Sequence, residues 1–222
     1  MKKILSFFIF IVLLSGCSTQ SWKYTSNPKQ YIKPEIQKTV VIPPLSDFRE
    51  NENSITGYFV AMIPFVPYGT SYANIPEANP YMPFKPIDDF SKATAEELNN
   101  ASIFKNVFFS HNIQDGDWYL QGNLIKSKYS VANTFYGLSL PGDLLWVLGL
   151  PSGKIKNEIE IEYKLMDKNY NIYFQKKYAE SSSCYQGLYY NLTSFQFENL
   201  LKKINMRLIE DLHLIIPNLK KK

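Results

Sequence analysis

The chain has 222 residues, of which 45% are hydrophobic and 20% are charged, and its formal net charge is +4. This length and apolar content predict one folded domain with an ample core. Loss of Lys2 and Lys3 with a cleaved N-terminal segment would leave 22 basic residues against 20 acidic ones, a charge of +2. So balanced a charge gives no electrostatic basis for nucleic-acid binding, and we expect no nucleic-acid partner.

The N-terminus has the layout of a secretory signal peptide. Lys2 and Lys3 precede a nearly continuous apolar run over residues 4–14, and small residues follow it. The run is too short to span a bilayer as a helix, which takes roughly 20 residues. We therefore predict a signal peptide over residues 1–16.

The segment ends at Leu14-Ser15-Gly16-Cys17. This sequence resembles the lipobox of bacterial lipoproteins, and the resemblance implies that diacylglycerol is attached to the thiol of Cys17, the first mature residue. Two or three acyl chains, of palmitate type, make membrane attachment effectively permanent. Ser18 stands where an inner-membrane retention signal has Asp, so the resemblance implies the outer membrane, facing the periplasm. The alternative is a plain signal peptide with an incidental cysteine.

The mature N-terminus, residues 17–38, predicts a lipidated tether because it is polar, contains two prolines and has no sustained period. Trp22 and Tyr24 either rest at the membrane interface or pack on the domain. With Cys17 acylated, Cys184 has no disulfide partner. We interpret Cys184 as a small buried hydrophobic residue, with a reactive periplasmic thiol or an intermolecular disulfide as the alternative.

A single α+β domain is predicted over residues 39–217. Its first strand is 39–45, a β-branched run that two prolines interrupt. The polar segment 46–53 follows as a solvated loop. It predicts no metal site, because Arg49 stands where an EF-hand loop requires an oxygen ligand.

Residues 57–86 form the first apolar insertion. An uncharged run over 57–69 leads into a segment rich in proline and aromatic residues. The prolines exclude a regular helix or a central strand across the whole stretch, so we predict a long apolar loop. Such a loop either folds over the core of its own domain or forms an exposed contact surface.

Regular structure is predicted again from Asp88, an N-cap for a helix that extends to Ala101. Strands are predicted over 103–109 and 118–131. Asp115 and Asp117 lie between these strands on either side of a glycine. We interpret them as turn residues rather than as a catalytic pair.

The second apolar insertion covers residues 137–153, and its segment 144–150 predicts one or two helical turns. These turns pack on the first insertion, enter the lipid headgroup region or receive a partner. The motif Gly137-x-Ser139-x-Pro141 is close to a nucleophile elbow but lacks the last glycine. The sequence therefore does not favour a serine hydrolase.

A hairpin and a final helix complete the domain. Strands are predicted over 158–165 and 172–179, and three serines at 181–183 are expected to loosen the second strand. An aromatic patch covers 185–190. Thr193 and Gln196 form a capping box for the last helix, which Pro217 is expected to stop. Residues 218–222 form a basic tail.

This order of elements predicts an α+β fold of two layers: a mixed, mostly antiparallel sheet with two helices on one face, plus two long apolar loops. The chain resembles a group of uncharacterised bacterial envelope lipoproteins in the lipobox and in short motifs such as Asp47-x-Arg49-x-Asn51 and Pro67-Tyr68-Gly69. Its element order is also similar, more weakly, to TolB N-terminal and penicillin-binding-protein activator domains. Those resemblances imply binding to envelope proteins without catalysis.

The function predicted from the sequence is that of a lipid-anchored, non-enzymatic envelope lipoprotein that serves as a protein-interaction or assembly module. The alternative is an oligomeric, membrane-contacting component of secretion or lipid handling, which would resemble the curli secretion channel lipoprotein. A hydrolase of envelope polymers is the third hypothesis. The expected partners are the membrane, through lipid on Cys17, and either an envelope protein or a second copy. We expect no cofactor and no metal. The candidate interaction surface comprises Tyr58, Phe59, Phe65, Tyr68, Tyr72, Leu144, Leu145, Trp146 and Leu148.

Overall fold

The structure is a computed structural model that describes residues 22–29, 33–75, 85–191 and 195–219. Within these ranges, eight strands form one sheet: β1 (Ile36–Ile42), β2 (Ser46–Asp47), β3 (Ser54–Thr56), β4 (Tyr68–Tyr72), β5 (Phe104–Phe109), β6 (Trp118–Asn133), β7 (Gly153–Asp167) and β8 (Ile172–Gln186). The α-helices of the same ranges are α1 (Tyr58–Ala61), α2 (Pro86–Asn100), α3 (Asp143–Val147) and α4 (Phe197–Leu219).

Strand β6 organises the sheet. Along one edge it pairs antiparallel with β7 from Trp118 opposite Asp167 to Asn133 opposite Gly153, and β8 pairs antiparallel with the far side of β7. Its other edge is shared by β1, β2 and β4, of which β1 and β2 are parallel to it and β4 is antiparallel. Strand β5 extends the sheet beyond β1, and β3 extends it beyond β4.

The two long helices cover one face of this sheet. Helix α4 contacts β7 and β8, helix α2 contacts β1 and β5, and the two helices contact each other. The predicted apolar stripe of α4 is buried and comprises Phe197, Leu200, Leu201, Ile204, Leu208 and Leu212. The mixed sheet with both helices on one face confirms the predicted α+β architecture.

Two strands differ from the sequence-based expectation. Strand β4 lies inside the first insertion, between β3 and β6, so the expected continuous loop is wrong for Tyr68–Tyr72. Pro64 and Pro67 precede this strand, so its ladder needs no N–H group from either proline. Strand β8 extends to Gln186 instead of loosening at the serines, because β7 supplies pairing partners along that whole length.

The ends of the long helices also differ. Helix α2 begins at Pro86, where a proline needs no hydrogen-bond partner, and Asp89 Oδ2 accepts from the N–H of Lys85 at 2.8 Å. Helix α4 passes through Pro217 and ends at Leu219, so the predicted stop is wrong. A proline this close to the end removes one intrahelical bond, and burial of Ile216 and Leu219 favours the last turn. Thr193 of the predicted capping box, residues 76–84 of the first insertion and residues 220–222 of the predicted tail lie outside the described residues.

The predicted solvated loop after β2 contains a half-buried ion pair. The Arg49 guanidinium meets the Asp47 carboxylate through Nε and Nη2 at 2.9 and 2.8 Å, and its Nη1 donates to Ser127 Oγ at 2.8 Å. The Arg49 side chain is only 7% exposed, which contradicts a fully solvated loop. Its hydrogen bond lowers the pKa of Asp47, so this carboxylate is a structural partner.

Residues 22–29, which we call the N-terminal strap, lie on the two long helices. The Trp22 ring packs 5.5 Å from the Phe90 ring. The Tyr24 hydroxyl donates to Glu97 Oε1 at 2.9 Å and accepts from Asn205 Nδ2 at 3.1 Å. Burial raises the pKa of Tyr24, which keeps this hydroxyl a donor. Trp22 and Tyr24 therefore pack on the domain, which is one of the two placements predicted for them.

Removal of the Tyr24 hydroxyl should destabilise the protein, because Glu97 and Asn205 each lose a buried partner. We expect Tyr24→Phe to lower the free energy of unfolding by about 1–3 kcal/mol. The matched control is Tyr170→Phe at a tyrosine that is 70% exposed, where we expect almost no change. Urea unfolding of the purified protein measures both, and equal midpoints for the two variants would contradict the role of the strap.

Candidate functional site

Four strands end in one row at the same end of the sheet. Tyr68 of β4 lies opposite Asn133 of β6, Asn133 lies opposite Gly153 of β7, and Gly153 lies opposite Gln186 of β8. The segments beyond this row are therefore neighbours although they are distant in the sequence. They are 57–67, 134–152 and 187–191, and we call them together the apolar end.

The apolar end has almost no charge. Asp143 is the one charged residue in its three segments, although 20% of the whole chain is charged. Depletion of charge is typical of the centre of a contact surface and not of an ordinary solvated loop.

A stack of three aromatic rings forms the base of the apolar end. The rings of Tyr68 and Phe135 are 5.1 Å apart and nearly parallel, and those of Phe135 and Trp146 are 4.9 Å apart and nearly parallel. The Trp146 Nε1–H donates to the carbonyl of Thr134 at 3.0 Å. Such stacked pairs are worth about 0.5–1.5 kcal/mol each beyond their burial. This stack holds helix α3 against the end of the sheet.

The three segments also contact one another directly. The Ser139 hydroxyl donates to the carbonyl of Met62 at 2.7 Å, which joins the second insertion to the first. The Tyr189 hydroxyl donates to the carbonyl of Val147 at 3.0 Å, which joins 187–191 to α3. The second insertion therefore packs on the first. This is one of the three alternatives that the sequence left open, beside entry into the lipid headgroups and contact with a partner.

Gly137 of the second insertion lies beside the ring of Phe65 of the first insertion. A Cβ atom at this position would lie 2.3 Å from Cε1 of the Phe65 ring, and the φ angle of Gly137 is +78°. A side chain would therefore clash with the ring and strain the backbone. The absence of a side chain at 137 lets the two insertions meet.

Strained backbone is concentrated in the same place. Among the described residues, positive φ angles occur at six non-glycine positions, and four of them belong to the apolar end: Phe65, Tyr136, Ser139 and Asn191. Bulky residues avoid this conformation unless their surroundings impose it. Such strain tends to occur at functional sites, so it supports a functional role for these segments.

Large hydrophobic side chains cover the outside of the apolar end. Phe59 is 87% exposed, Phe65 85% and Leu148 75%. Their exposed neighbours in the same segments are Met62, Ile63, Leu138, Leu144, Val147 and Tyr189. Single exposed hydrophobic residues are ordinary, but a contiguous group marks an interaction surface.

The structure divides the predicted surface residues into three groups. Phe59, Phe65, Leu144 and Leu148 are exposed on the apolar end. Tyr68, Leu145 and Trp146 are partly buried, and Tyr68 and Trp146 belong to the aromatic stack. Tyr72 lies opposite Tyr129, away from the apolar end, and packs against the core. The structure does not describe the side chain of Tyr58.

Sequence reasoning missed several exposed members of this surface. Met62, Ile63, Leu138 and Val147 lie in the two predicted insertions but were not singled out. Tyr189 lies in the predicted aromatic patch, which was not assigned to the surface. All of these residues belong to uncharged segments of aliphatic or aromatic residues. The segments repeat with neither the 2.0-residue period of a strand nor the 3.6-residue period of a helix, and this was the weak signal for an exposed surface.

The residues that suggested catalysis have structural partners. The Ser139 hydroxyl is directed at main-chain carbonyls of the first insertion. Asp115 accepts hydrogen bonds from Ser110 and Asn112, and Asp117 accepts from the main-chain N–H of Thr39. In the part of the chain that the structure describes, no three His, Cys, Asp or Glu side chains are grouped to hold a metal ion.

A polar cleft of about 540 Å³ lies at the opposite end of the sheet. Trp118 and Tyr173 pack together in its wall with their rings 5.1 Å apart, and Asp167 lies beside them. Asp167 accepts hydrogen bonds from the side chain and main chain of Asn171 and from the Tyr173 hydroxyl. These bonds, that of the Asn171 side chain first, lower the pKa of Asp167 to about 2.

Comparison with known proteins identifies the N-terminus. Residues 1–18 match the family model for the prokaryotic membrane lipoprotein lipid attachment site. The protein is a bacterial envelope lipoprotein, anchored to a membrane through lipid on Cys17, which itself lies outside the described residues. Among the described helices, none combines the length and the apolar character needed to cross a membrane.

The remaining comparisons add little. No curated protein matches the chain. The crystal structure of protein XCC0632 from Xanthomonas campestris, of the family model DUF330, is similar with a TM-score of 0.48 and 9% identity over 93% of this chain and 100% of that one. A similarity at this level carries no argument about function. The comparisons do not support the weaker resemblance to TolB N-terminal or penicillin-binding-protein activator domains.

The aromatic stack and the exposed surface should respond differently to substitution. We expect Phe135→Ala to lower the free energy of unfolding by about 3–5 kcal/mol, because it removes the central ring of the stack. Leu148→Ala is the matched control on the outside and should change stability by less than about 0.5 kcal/mol. Urea unfolding measures both. Equal losses would show that the exposed side chains also belong to the core.

The hydrogen bonds to Asp167 should make stability depend on acid pH. Since the pKa of Asp167 in the folded protein lies below its usual value of 3.8, its contribution is complete above about pH 4 and disappears as the pH falls through about 2. Asn171→Ala should raise the pKa of Asp167 and weaken this dependence. Asn169→Ala should not, because it keeps the main-chain N–H that donates to Asp167 Oδ1 at 2.8 Å. Carbon NMR of the carboxyl group measures the pKa. The same midpoint in both variants would contradict the assignment.

Proposed function

We propose that the protein is a non-enzymatic interaction or assembly module of the bacterial envelope, and that the apolar end is its contact surface. The observation that carries this proposal is the exposure of Phe59, Phe65 and Leu148 on segments that are almost free of charge. A group of such side chains left in water is unfavourable, so its retention is typical of an interaction site.

The rigidity of the apolar end supports the proposal. The aromatic stack, the Ser139 and Tyr189 hydrogen bonds and the close Phe65–Gly137 contact hold the segments that carry the exposed side chains. Segments that are ordered before binding lose less conformational freedom when they bind. We therefore expect the surface to bind its partner in the conformation seen here, and not to fold around a ligand on binding.

The electrostatics of the acidic residues support a non-enzymatic role. The pKa values of Asp47, Glu162 and Asp167 are all lowered, by hydrogen bonds first from Arg49, Gln175 and Asn171 respectively. A carboxyl general acid that works near neutral pH is favoured by a pKa shifted upwards, and these three residues have the opposite shift. Their hydrogen bonds favour the charged carboxylate, which suits a structural role.

We further propose the outer membrane, with the domain in the periplasm, as the place of action. The support is the residue after the lipidated cysteine, which is Ser18 and not Asp. A domain held there by lipid meets other envelope components at high local concentration, which suits a module that acts by contact.

Photo-crosslinking in living cells tests the proposal. A photoreactive amino acid replaces Phe59 or Leu148, because both side chains are exposed and neither belongs to the aromatic stack. The matched control replaces the exposed Tyr170, which follows β7 at the opposite end of the sheet. We expect discrete adducts, to protein or to lipid, from the two apolar positions and not from 170. A Cys17→Ala chain should lose these adducts, because it is not held at the membrane.

The proposal fails if the two apolar positions give no more adducts than position 170. In that case the exposed side chains have no occupant in the cell, and the contact surface lies elsewhere on the domain.

A further inference from the structure

We infer that the outer edge of strand β8 pairs with the same edge of a second copy of this chain, so that two sheets join across a two-fold axis. This surface is separate from the apolar end, and the inference goes beyond the proposed function. It is carried by the free main-chain groups of β8, by the order of the charges along that edge and by the face of the sheet on which the N-terminal strap lies.

Strand β8 leaves a long edge of the sheet unpaired. Strands β3 and β5, which end the other half of the sheet, have three and six residues, whereas β8 has 15. Among the described strands, β8 pairs with β7 alone, and the register of this pair is uninterrupted from Phe174 to Gln186. A long edge without a proline or a bulge is a template for another strand, because its N–H and C=O groups have no partner.

The end of β8 shows which way its main-chain groups point. The carbonyl of Gln186 accepts from the N–H of Ser152, which precedes β7. The carbonyl of Tyr185 accepts instead from Asn191 Nδ2 at 3.0 Å, outside the ladder with β7. Successive residues of a strand direct their main-chain groups to opposite sides, so the odd-numbered residues over 175–183 direct theirs away from β7. Within the part of the chain that the structure describes, these outward groups form no main-chain hydrogen bond.

The charges along β8 are complementary to their own two-fold copy. An antiparallel pair of β8 strands centred on Tyr178 joins residues 174–182 and places Lys176 of each copy opposite Glu180 of the other. Opposite charges in such positions stabilise a sheet, and like charges destabilise it. A centre at Ala179 loses both charge pairs, and a centre at Glu180 sets this carboxylate against its own copy. The charges therefore favour the register centred on Tyr178.

The two lysines of β8 do not block this pairing. A lysine on an edge strand usually prevents pairing by placing an uncompensated charge in the path of another strand. Here Lys176 Nζ lies 2.7 Å from an oxygen of Asp211 on α4. Lys177 forms an ion pair with Glu160 of the neighbouring β7. Both positive charges are compensated within the chain, so a second strand meets no excess of charge.

Helix α4 continues the complementarity above the sheet. Arg207 Nη2 lies 2.7 Å from Glu180 Oε1, so Arg207 and Asp211 both flank the edge of β8. Since α4 contacts both β7 and β8, the two copies of α4 lie two strand spacings apart, about 10 Å, which is an ordinary distance for packed helices. The helices run antiparallel, and Arg207 of each copy faces Asp211 of the other. The exposed Leu214, one turn beyond Asp211, is then covered by the second helix.

The arrangement suits a protein with a lipid anchor. The two-fold axis is perpendicular to the joined sheet, so the helices of both copies lie on the same face. The strap contacts these helices through Trp22 and Tyr24, so both straps also lie on that face. Copies that are anchored in one leaflet have a high local concentration, which favours pairing.

The oligomeric state of the lipidated, full-length mature protein in detergent micelles tests this inference. Sedimentation velocity over about a hundredfold range of concentration separates a monomer from a dimer. The critical variant is Ala179→Pro, because the N–H of residue 179 points away from β7 and its loss removes no bond to β7. Ala179→Val keeps the N–H and is the matched control. We expect a dimer for the unchanged protein and for Ala179→Val, and a monomer for Ala179→Pro.

Two charge variants test the register. Lys176→Glu sets glutamates opposite each other at both charge pairs, and Glu180→Lys does the same with lysines. Each variant alone should dimerise at least about tenfold more weakly. An equimolar mixture of the two variants restores opposite charges in both pairs and should recover the dimer. The mixture contains the same chains as the separate samples, so a folding defect cannot produce the recovery.

Three results overturn the inference: a monomer for the unchanged protein at every concentration, a dimer that persists in Ala179→Pro, or a mixture of the charge variants that stays monomeric. A dimer that is lost in Phe59→Ala and kept in Ala179→Pro also overturns it, and places self-association at the apolar end. Adducts from Phe59 and Leu148 in the cross-linking experiment without a dimer through β8 would retain the proposed function and remove this inference alone.

Discussion

The antiparallel ladder between β6 and β7 is the interaction on which the rest of this structure depends. It joins the 16 residues of β6 to the 15 residues of β7 from end to end, with one irregularity between Leu124 and Lys126. Because β6 also receives β1, β2 and β4 on its other edge, both halves of the sheet are attached to one strand. The same ladder places the end of β6 at Asn133 opposite the start of β7 at Gly153. The second insertion, which joins these two strand ends, therefore lies beside the first insertion, which leads into β4.

The pattern of the sequence is sufficient where a structure is decided locally. The alternation of Ile159, Ile161 and Tyr163 with charged residues defines β7, and the period of the apolar residues defines α4, because each pattern reports one buried face. Strand β4 and the second half of β8 are not visible in this way. Their pairing partners lie far along the chain, and a proline-rich run or three serines form a strand only when a neighbouring strand supplies the ladder.

The sequence was sufficient to locate the candidate site, but not to predict which of its side chains are buried and which are exposed. The two insertions stand out because they are apolar and lack a period, and they do meet in the structure. The distinction between Trp146, which is stacked on Phe135, and Leu148, which is exposed, depends on contacts that neither residue type reveals. The strap is similar, since the partners of Tyr24 at Glu97 and Asn205 belong to two helices more than seventy residues away.

The strap gives the lipid anchor a structural consequence. A flexible tether as long as residues 17–38 would leave the domain free to rotate, because about twenty flexible residues reach roughly 25 Å in any direction. The contacts of the strap with α2 and α4 instead hold residues 22–29 on the domain, so these residues are not part of a flexible tether. At the other end of the molecule, the strained backbone at Phe65 and Ser139 is consistent with a contact surface that is ordered before it binds.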